Sequence, residues 1–197
     1  MTKVTADMAI SLDGYAAGPN QSREQPFGEG ARERLTRWMV EEPDAHADAI
    51  AGLTAAGAFV MGRNMFSPDR GPHDEEWTGW WGDDPPYHAP VYVLTHYERA
   101  PLQMQGGTTF TFVTEGIESA LAQARAAAGD ADVAIAGGAA TVNQYLAAGL
   151  IDELRLHVAP VVLGRGERLF AGVGDVELEP LDVSGTSLVT HLRYRIR

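Results

Sequence analysis

Val133-Ala-Ile-Ala-Gly-Gly-Ala-Ala-Thr-Val-Asn-Gln-Tyr-Leu-Ala-Ala-Gly-Leu-Ile-Asp-Glu-Leu154 opens as a short apolar run, stops at Gly137-Gly138 and passes at once into a helical pattern. A strand that feeds directly into a helix presents unpaired backbone N–H groups at the junction. Two residues without a Cβ let a ligand approach closely, and a helix N-terminus favours anionic groups such as phosphate. The stretch predicts a βα unit that seats the phosphates of a nucleotide. One junction is weak by itself, so the other walls of such a site have to come from the rest of the chain.

Working outward, Phe59-Val-Met-Gly-Arg-Asn-Met-Phe repeats the strand–glycine–helix layout and puts Arg63 at the mouth of the junction, where a guanidinium can hold a phosphate bidentately. Val93-Leu-Thr-His-Tyr-Glu-Arg is a strand ending in Thr95 and His96, with Arg99 close behind. Met8-Ala-Ile-Ser-Leu-Asp-Gly is a first strand that ends by exposing Asp13 at a turn. Polar or glycine residues at the carboxyl ends of several parallel strands line the crevice where α/β folds bind ligands.

The remaining pattern agrees. Strands are predicted over 3–12, 58–61, 90–95, 108–113, 132–136 and 152–160, with a final hairpin over 176–183 and 187–195. Helices are predicted over 29–53, broken at Pro43, and over 117–128 and 140–148. Strands alternating with helices, followed by an antiparallel tail, indicate an α/β sheet with a mixed C-terminal edge in one domain over 1–197. The segment 68–90 is rich in Gly, Pro and Asp and carries Trp77, Trp80, Trp81 and Tyr87. Its aromatics argue against disorder, so it is expected to pack near a ligand or a partner subunit.

Composition narrows the function. A net charge of −12 argues against a nucleic-acid binder. No apolar run reaches the ~20 residues of a membrane span, and the N-terminus, with a single Lys and then Asp7, does not read as a secretion signal. A cytoplasmic protein is expected. With no Cys, thiol catalysis and thiolate metal sites are excluded. The histidines fall at no ligand spacing, so no metal is expected. Neither a Gly-x-Gly-x-x-Gly after the first strand nor a P-loop or Gly-x-Ser-x-Gly motif is present.

Ser11-Leu-Asp-Gly, Met61-Gly-Arg-Asn, Val93-Leu-Thr-His, Ala136-Gly-Gly-Ala-Ala-Thr, Leu150-Ile-Asp-Glu-Leu and Ala159-Pro-Val-Val-Leu-Gly-Arg-Gly-Glu-Arg-Leu-Phe occur in that order. Together they resemble the dihydrofolate reductase-like superfamily, in its riboflavin-biosynthesis reductase (RibD C-terminal-like) branch. The resemblance implies a three-layer α/β fold. Its central sheet would be mixed but mostly parallel, of about eight strands, with helices on both faces and an antiparallel C-terminal hairpin. It also implies NADPH across the carboxyl edge of that sheet. Ala9 would meet the nicotinamide carboxamide. Gly62, Arg63, Asn64 and Met65 would meet the pyrophosphate and the adenosine 2′-phosphate. Thr95 and His96 would lie against the adenosine, with Arg99 as a further contact. Ala136, Gly137, Gly138, Ala139, Ala140 and Thr141 would close over the pyrophosphate, with a cis Gly137–Gly138 bond.

Trp81, Leu163, Arg165 and Arg168 are the residues expected to border the substrate. No acid aligns with the one that grips the pteridine in dihydrofolate reductases; Glu29 and Glu33 lie only in the same region. The activity implied is hydride transfer from NADPH to a C=N or C=O bond of a small heterocyclic or sugar-like molecule, such as 5-amino-6-(5-phosphoribosylamino)uracil. Asp13 or a water would donate the proton, and the branch implies a homodimer. An NADPH-binding sensor or accessory protein without turnover is the rival reading, and a natural-product-tailoring reductase would differ only in the pocket around Trp77 to Tyr87.

Overall fold

Along the central strands, alternate side chains enter two different cores. Val4, Ala6, Met8 and Ile10 join Ala58, Val60, Val133, Ile135, Leu154 and Leu156 on one face, while Phe59, Met61, Val91, Val93 and Ala134 pack on the other. Strands buried on both faces must be apolar nearly throughout, as these are, and such strands belong to a sheet covered by helices on each side.

The computed structural model describes residues 2–197. The chain runs β1 (Val4–Ser11), β2 (Tyr15–Ala17), α1 (Arg32–Glu41), a 3-10 turn over Pro43–His46, α2 (Ala47–Gly52), β3 (Ala58–Gly62) and α3 (Arg63–Phe66). It continues through β4 (Pro90–Leu94), β5 (Leu102–Gln103), β6 (Thr109–Val113), α4 (Ile117–Ala128), β7 (Val133–Gly137) and α5 (Ala139–Ala147). It ends with β8 (Glu153–Ala159), β9 (Glu167–Arg168), β10 (Leu178–Gly185) and β11 (Thr190–Ile196). Nine strands form one sheet in the order β10-β11-β8-β1-β7-β3-β4-β6-β5, and β2 pairs with β9 in a small separate ribbon. From β8 to β6 every neighbour is parallel, and β11, β10 and β5 add antiparallel edges. The mixed, mostly parallel sheet with an antiparallel C-terminal hairpin is the expected architecture.

Helices α4 and α5 cover the first face through Leu121, Ala124, Val142, Tyr145 and Leu146. The other face is covered by α1 and by the segment 67–89, which contains no regular element. There Trp77 Nε1 donates to the Phe66 carbonyl at 2.8 Å, and Trp81 stacks on Phe110 with ring centroids 5.9 Å apart. The packing expected of this aromatic segment is therefore present. Among the described residues no helix is long and apolar enough to cross a membrane.

Several boundaries differ from the sequence reading. The first helix begins at Arg32, three residues after Glu29, and Pro43 starts a 3-10 turn where its fixed φ suits a first helical position. The strands β2, β5 and β9 are two or three residues long and carry no readable period. At the start of β8, Glu153 ties together the chain around β1, β8 and β11. Its carboxylate, 3% exposed, accepts from Arg193 Nε (2.7 Å), Arg155 Nε (2.8 Å) and Lys3 Nζ (3.2 Å).

Candidate functional site

Because β1, β7, β3 and β4 all run the same way, their carboxyl ends open on one side of the sheet. A cleft of about 950 Å³ lies there. Gly62 ends β3 at this cleft and Arg63, Asn64 and Met65 follow it, Thr95 and His96 follow β4, and Ala136 to Thr141 span the passage from β7 into α5. Ala9, on the α1-facing side of β1, completes the floor. The structure thus brings these segments, remote in sequence, to one cleft.

The glycines have distinct reasons to be there. A Cβ on Gly62 would stand 2.1 Å from Thr141 Oγ1, so β3 touches α5 only because position 62 is bare. Gly137 has φ +119°, a conformation that side chains avoid, and its bond to Gly138 is cis, as expected. A Cβ on Gly138 would meet nothing within 4 Å. No side chain caps the first turn of α5, so its leading N–H groups are available to a ligand.

The junction after β3 differs from the sequence reading. It leads into α3, a single turn of four residues, too short to carry a useful dipole. Charge there comes from the Arg63 side chain itself. Its Nη1 donates to the Gly71 carbonyl at 3.0 Å and more weakly to Thr95 Oγ1 at 3.4 Å, while its buried Nε has no partner. Arg70, also on the cleft, donates to Asn64 Oδ1. Two guanidinium groups, Arg63 and Arg70, on one cleft suit an anionic ligand.

Across from this phosphate-suited half, the wall is α1. Arg32, Thr36 and Met39 line it at helical spacing, with Gln21, Phe27 and Leu53 beside them and Trp80 and Trp81 opposite. Trp81 thus lines the cleft. Arg32, Thr36 and Met39 were missed, although their spacing was available as a signal. Over the mouth Arg23 bridges the two flanking loops. Its Nη2 reaches Asp69 at 2.6 Å and Asp74 at 2.7 Å, and the guanidinium lies 4.8 Å from the Trp77 ring centroid.

Five expected site residues lie elsewhere. Arg99 is buried away from the cleft, donating to the Glu75 carbonyl at 2.8 Å and lying over the rings of Phe112 and Phe66. Leu163 packs with Ala31 and Leu35 beneath α1, and Arg165 reaches out to Glu29 at 3.5 Å. Arg168 lies over Tyr15 and lines a shallow hollow on the outer side of α5 with Asn143 and Gln144. Asp13 is the most consequential correction. The Ser11 hydroxyl (2.6 Å) and the N–H groups of Leu163 (3.0 Å) and Gly164 (2.7 Å) all donate to its carboxylate. The Ser11 bond, with help from those amides, lowers its pKa to about 2. Asp13 is a brace that holds the 161–166 strand-end segment against the β1–β2 turn, and an acid this strong holds no proton to give near neutrality.

Comparison with known proteins agrees with this geometry. Residues 2–192 match the family described as the RibD C-terminal domain. The chain is 25% identical over 181 residues to YyaP of Bacillus subtilis, an uncharacterized protein, covering 87% of this chain and 81% of that one. Among solved structures, a protein provisionally assigned to riboflavin biosynthesis from Shewanella sp. PV-4 superposes with a TM-score of 0.69 at 21% identity, over 100% of this chain and 99% of the other. A pyrimidine reductase-like protein from Corynebacterium diphtheriae gives a TM-score of 0.61 at 16% identity, over 100% and 92%. On this family match, and with a fold shared with both structures, the chain belongs to the RibD C-terminal domain family.

Proposed function

We propose that the protein is an NADPH-dependent oxidoreductase that transfers hydride to a C=N or C=O bond of a small heterocyclic or sugar-like substrate. The observation that carries this reading is the single cleft joining Gly62–Met65, Thr95–His96 and Ala136–Thr141 over parallel strand ends. Its volume of about 950 Å³ is at the upper end for a ligand site and leaves room for a dinucleotide with a small second molecule. The uncapped α5 turn and the bare Gly138 suit a pyrophosphate, and the guanidinium groups of Arg63 and Arg70 on the same cleft suit a 2′-phosphate. In this reading Thr95 and His96 flank the adenosine and Ala9 orients the nicotinamide carboxamide.

When bound, NADPH supplies the hydride, and the residues of this chain supply position and a dry enclosure. Arg32, Thr36, Met39, Trp80 and Trp81 bound the substrate half and exclude water from it. The family and its pyrimidine reductase-like neighbour favour a pyrimidine as the heterocycle, and 5-amino-6-(5-phosphoribosylamino)uracil is the first substrate to try. In the same reading residues 1–197 act as one domain and pair as a homodimer. The uncovered β10–β11 hairpin, with Leu181 and Val183 exposed, would then meet the second copy.

Arg63 tests the cofactor half directly. In fluorescence titrations, Arg63→Ala weakens NADPH by about 10–100-fold, corresponding to the ~1.5–3 kcal/mol of hydrogen bonds to a charged group. NADH, which lacks the 2′-phosphate, changes by less than about threefold. Equal losses for both cofactors, or no binding of NADPH by the unaltered protein, overturn the reading.

A further inference from the structure

Behind the substrate half of the cleft is a row of imidazoles that cofactor binding leaves unused. His157 on β8, His191 on β11 and His46 in the 3-10 turn surround the buried Trp38 indole, with ring centroids 5.2, 5.0 and 5.2 Å from it. The rings are joined nitrogen to nitrogen. His157 Nδ1 is 2.7 Å from His191 Nδ1, and His191 Nε2 is 2.8 Å from His46 Nδ1. At the outer end His46 Nε2 lies 3.3 Å from Glu42 Oε2, which also accepts the Thr186 hydroxyl at 2.6 Å. At the inner end the buried His157 Nε2 has no hydrogen-bond partner and lies 3.7 Å from Asp7 Oδ1. Asp7 itself lines the cleft, two residues before Ala9.

Counting protons shows what such a row does. Three neutral imidazoles carry three N–H groups, and the two links use two of them. The third faces either Asp7 or Glu42, never both. The polarity of the whole row is one choice, and reversing it moves one proton between a surface carboxylate and a carboxylate in the cleft.

We propose that Asp7, His157, His191 and His46 form a relay that delivers to the cleft the proton consumed with each hydride. The proposal rests on the reductase reading above. Asp7 passes its proton to the substrate heteroatom and is refilled from His157 Nε2. His157 Nδ1 takes the proton of His191 Nδ1, His191 Nε2 takes that of His46 Nδ1, and His46 Nε2 takes one from Glu42, which solvent replenishes. Each ring loses one proton and gains one, and no electrons move. A small turn of the Asp7 carboxylate closes the 3.7 Å gap.

The charged groups facing the row fit this role. Arg155 Nη1 lies 3.6 Å from Asp7 Oδ2, leaving Asp7 Oδ1 to face His157 Nε2. Glu42 has Arg37 behind it on α1, Ser184 of β10 lies opposite His191, and Arg193 of β11 is turned to Glu153. Burial, with the two flanking imidazoles, holds His191 down to about 4, so the middle ring passes protons without storing one.

The test is a titration of the ¹⁵N-histidine-labelled full-length protein by NMR over roughly pH 4–9, the range in which imidazoles charge. The ring nitrogens of His46, His157 and His191 are expected to move in shared transitions, separate from those of His73, His88 and His96. Asp7→Asn shifts the His46 nitrogens at the far end, though the two residues do not touch. Three independent titrations, or a response to Asp7→Asn that stops at His157, overturn the relay. With NADPH and 5-amino-6-(5-phosphoribosylamino)uracil as probe, His191→Gln lowers kcat by about 10-fold or more, raises the solvent deuterium isotope effect and leaves KM unchanged. An unaltered rate and isotope effect in that variant overturn the relay as well. If the unaltered protein binds no NADPH, the reductase reading fails; if it binds NADPH but does not turn over this probe, the nitrogen titration alone decides whether the three rings share their protons.

Discussion

Gly62→Ala is expected to cost the protein both stability and cofactor, and Gly62→Ala/Thr141→Ala to regain the stability. The added Cβ would sit 2.1 Å from Thr141 Oγ1 and 3.4 Å from Thr141 Cβ, so the hydroxyl is the obstacle and the methyne carbon is nearly acceptable. Thr141 lies in the first turn of α5, is 6% exposed and has little freedom to turn away. Either β3 parts from α5 or the threonine leaves its rotamer, a cost of about 1–3 kcal/mol. The parting widens the gap between the two segments that would grip the pyrophosphate. NADPH affinity is expected to fall by about 10–100-fold, or roughly 1.4–2.8 kcal/mol. Removing the hydroxyl in the double variant restores most of the stability, measured by denaturant unfolding. If Gly62→Ala is as stable as the parent, or the double variant gains nothing, the contact does not control this junction.

Glu153→Ala is expected to be the more damaging change to the fold. The carboxylate is 3% exposed and faces Lys3, Arg155 and Arg193, cations borne by the chain around three adjoining strands. Its removal takes three charge-assisted hydrogen bonds from the sheet, but Lys3 and Arg193 are half-exposed and water meets part of the loss, so the cost is about 2–3 kcal/mol. In a chain of this size that corresponds to a fall in Tm of roughly 4–12 °C. Glu179 provides the control. It also meets two arginines, Arg195 and Arg197, but at the surface, where such pairs are worth less than about 1 kcal/mol. Equal shifts for Glu153→Ala and Glu179→Ala, measured by calorimetry, would contradict the assignment.

How much of this the residues disclosed in advance depends on the range over which each signal acts. The alternation of Val4, Ala6, Met8 and Ile10 is local, and so is the passage from Ile135 through Gly137-Gly138 into a helix; both could be read directly. That Gly62, Thr95 and Gly137 would share a cleft followed from strand polarity, since parallel strands put their carboxyl ends on one side. The ribbon of β2 and β9 was invisible because two or three residues cannot show a period. Arg99 follows Thr95 and His96 closely in sequence, which suggests a ligand contact, yet Phe66, Phe112 and the Glu75 carbonyl bury it. Asp13 was read as an acid for want of any sign that Leu163 and Gly164, 150 positions away, would donate to it. The histidine row has the same cause. His157 and His191 are opposite each other only in the β8–β11 register, and no sequence pattern states that register.

The bridge from Arg23 to Asp69 and Asp74 has a mechanical consequence. Each of the two loops it joins, one after β2 and the other after α3, is held to the body of the protein by its own contacts, and among the described residues the side-chain hydrogen bonds from one loop to the other all come from this one exposed guanidinium. Contacts of this kind are individually weak and are screened by salt. The width of the entrance is therefore tuned separately from the rigid sheet beneath it. Relatives could admit bulkier or smaller guests by redrawing one loop-to-loop tether while the floor beneath stays as it is.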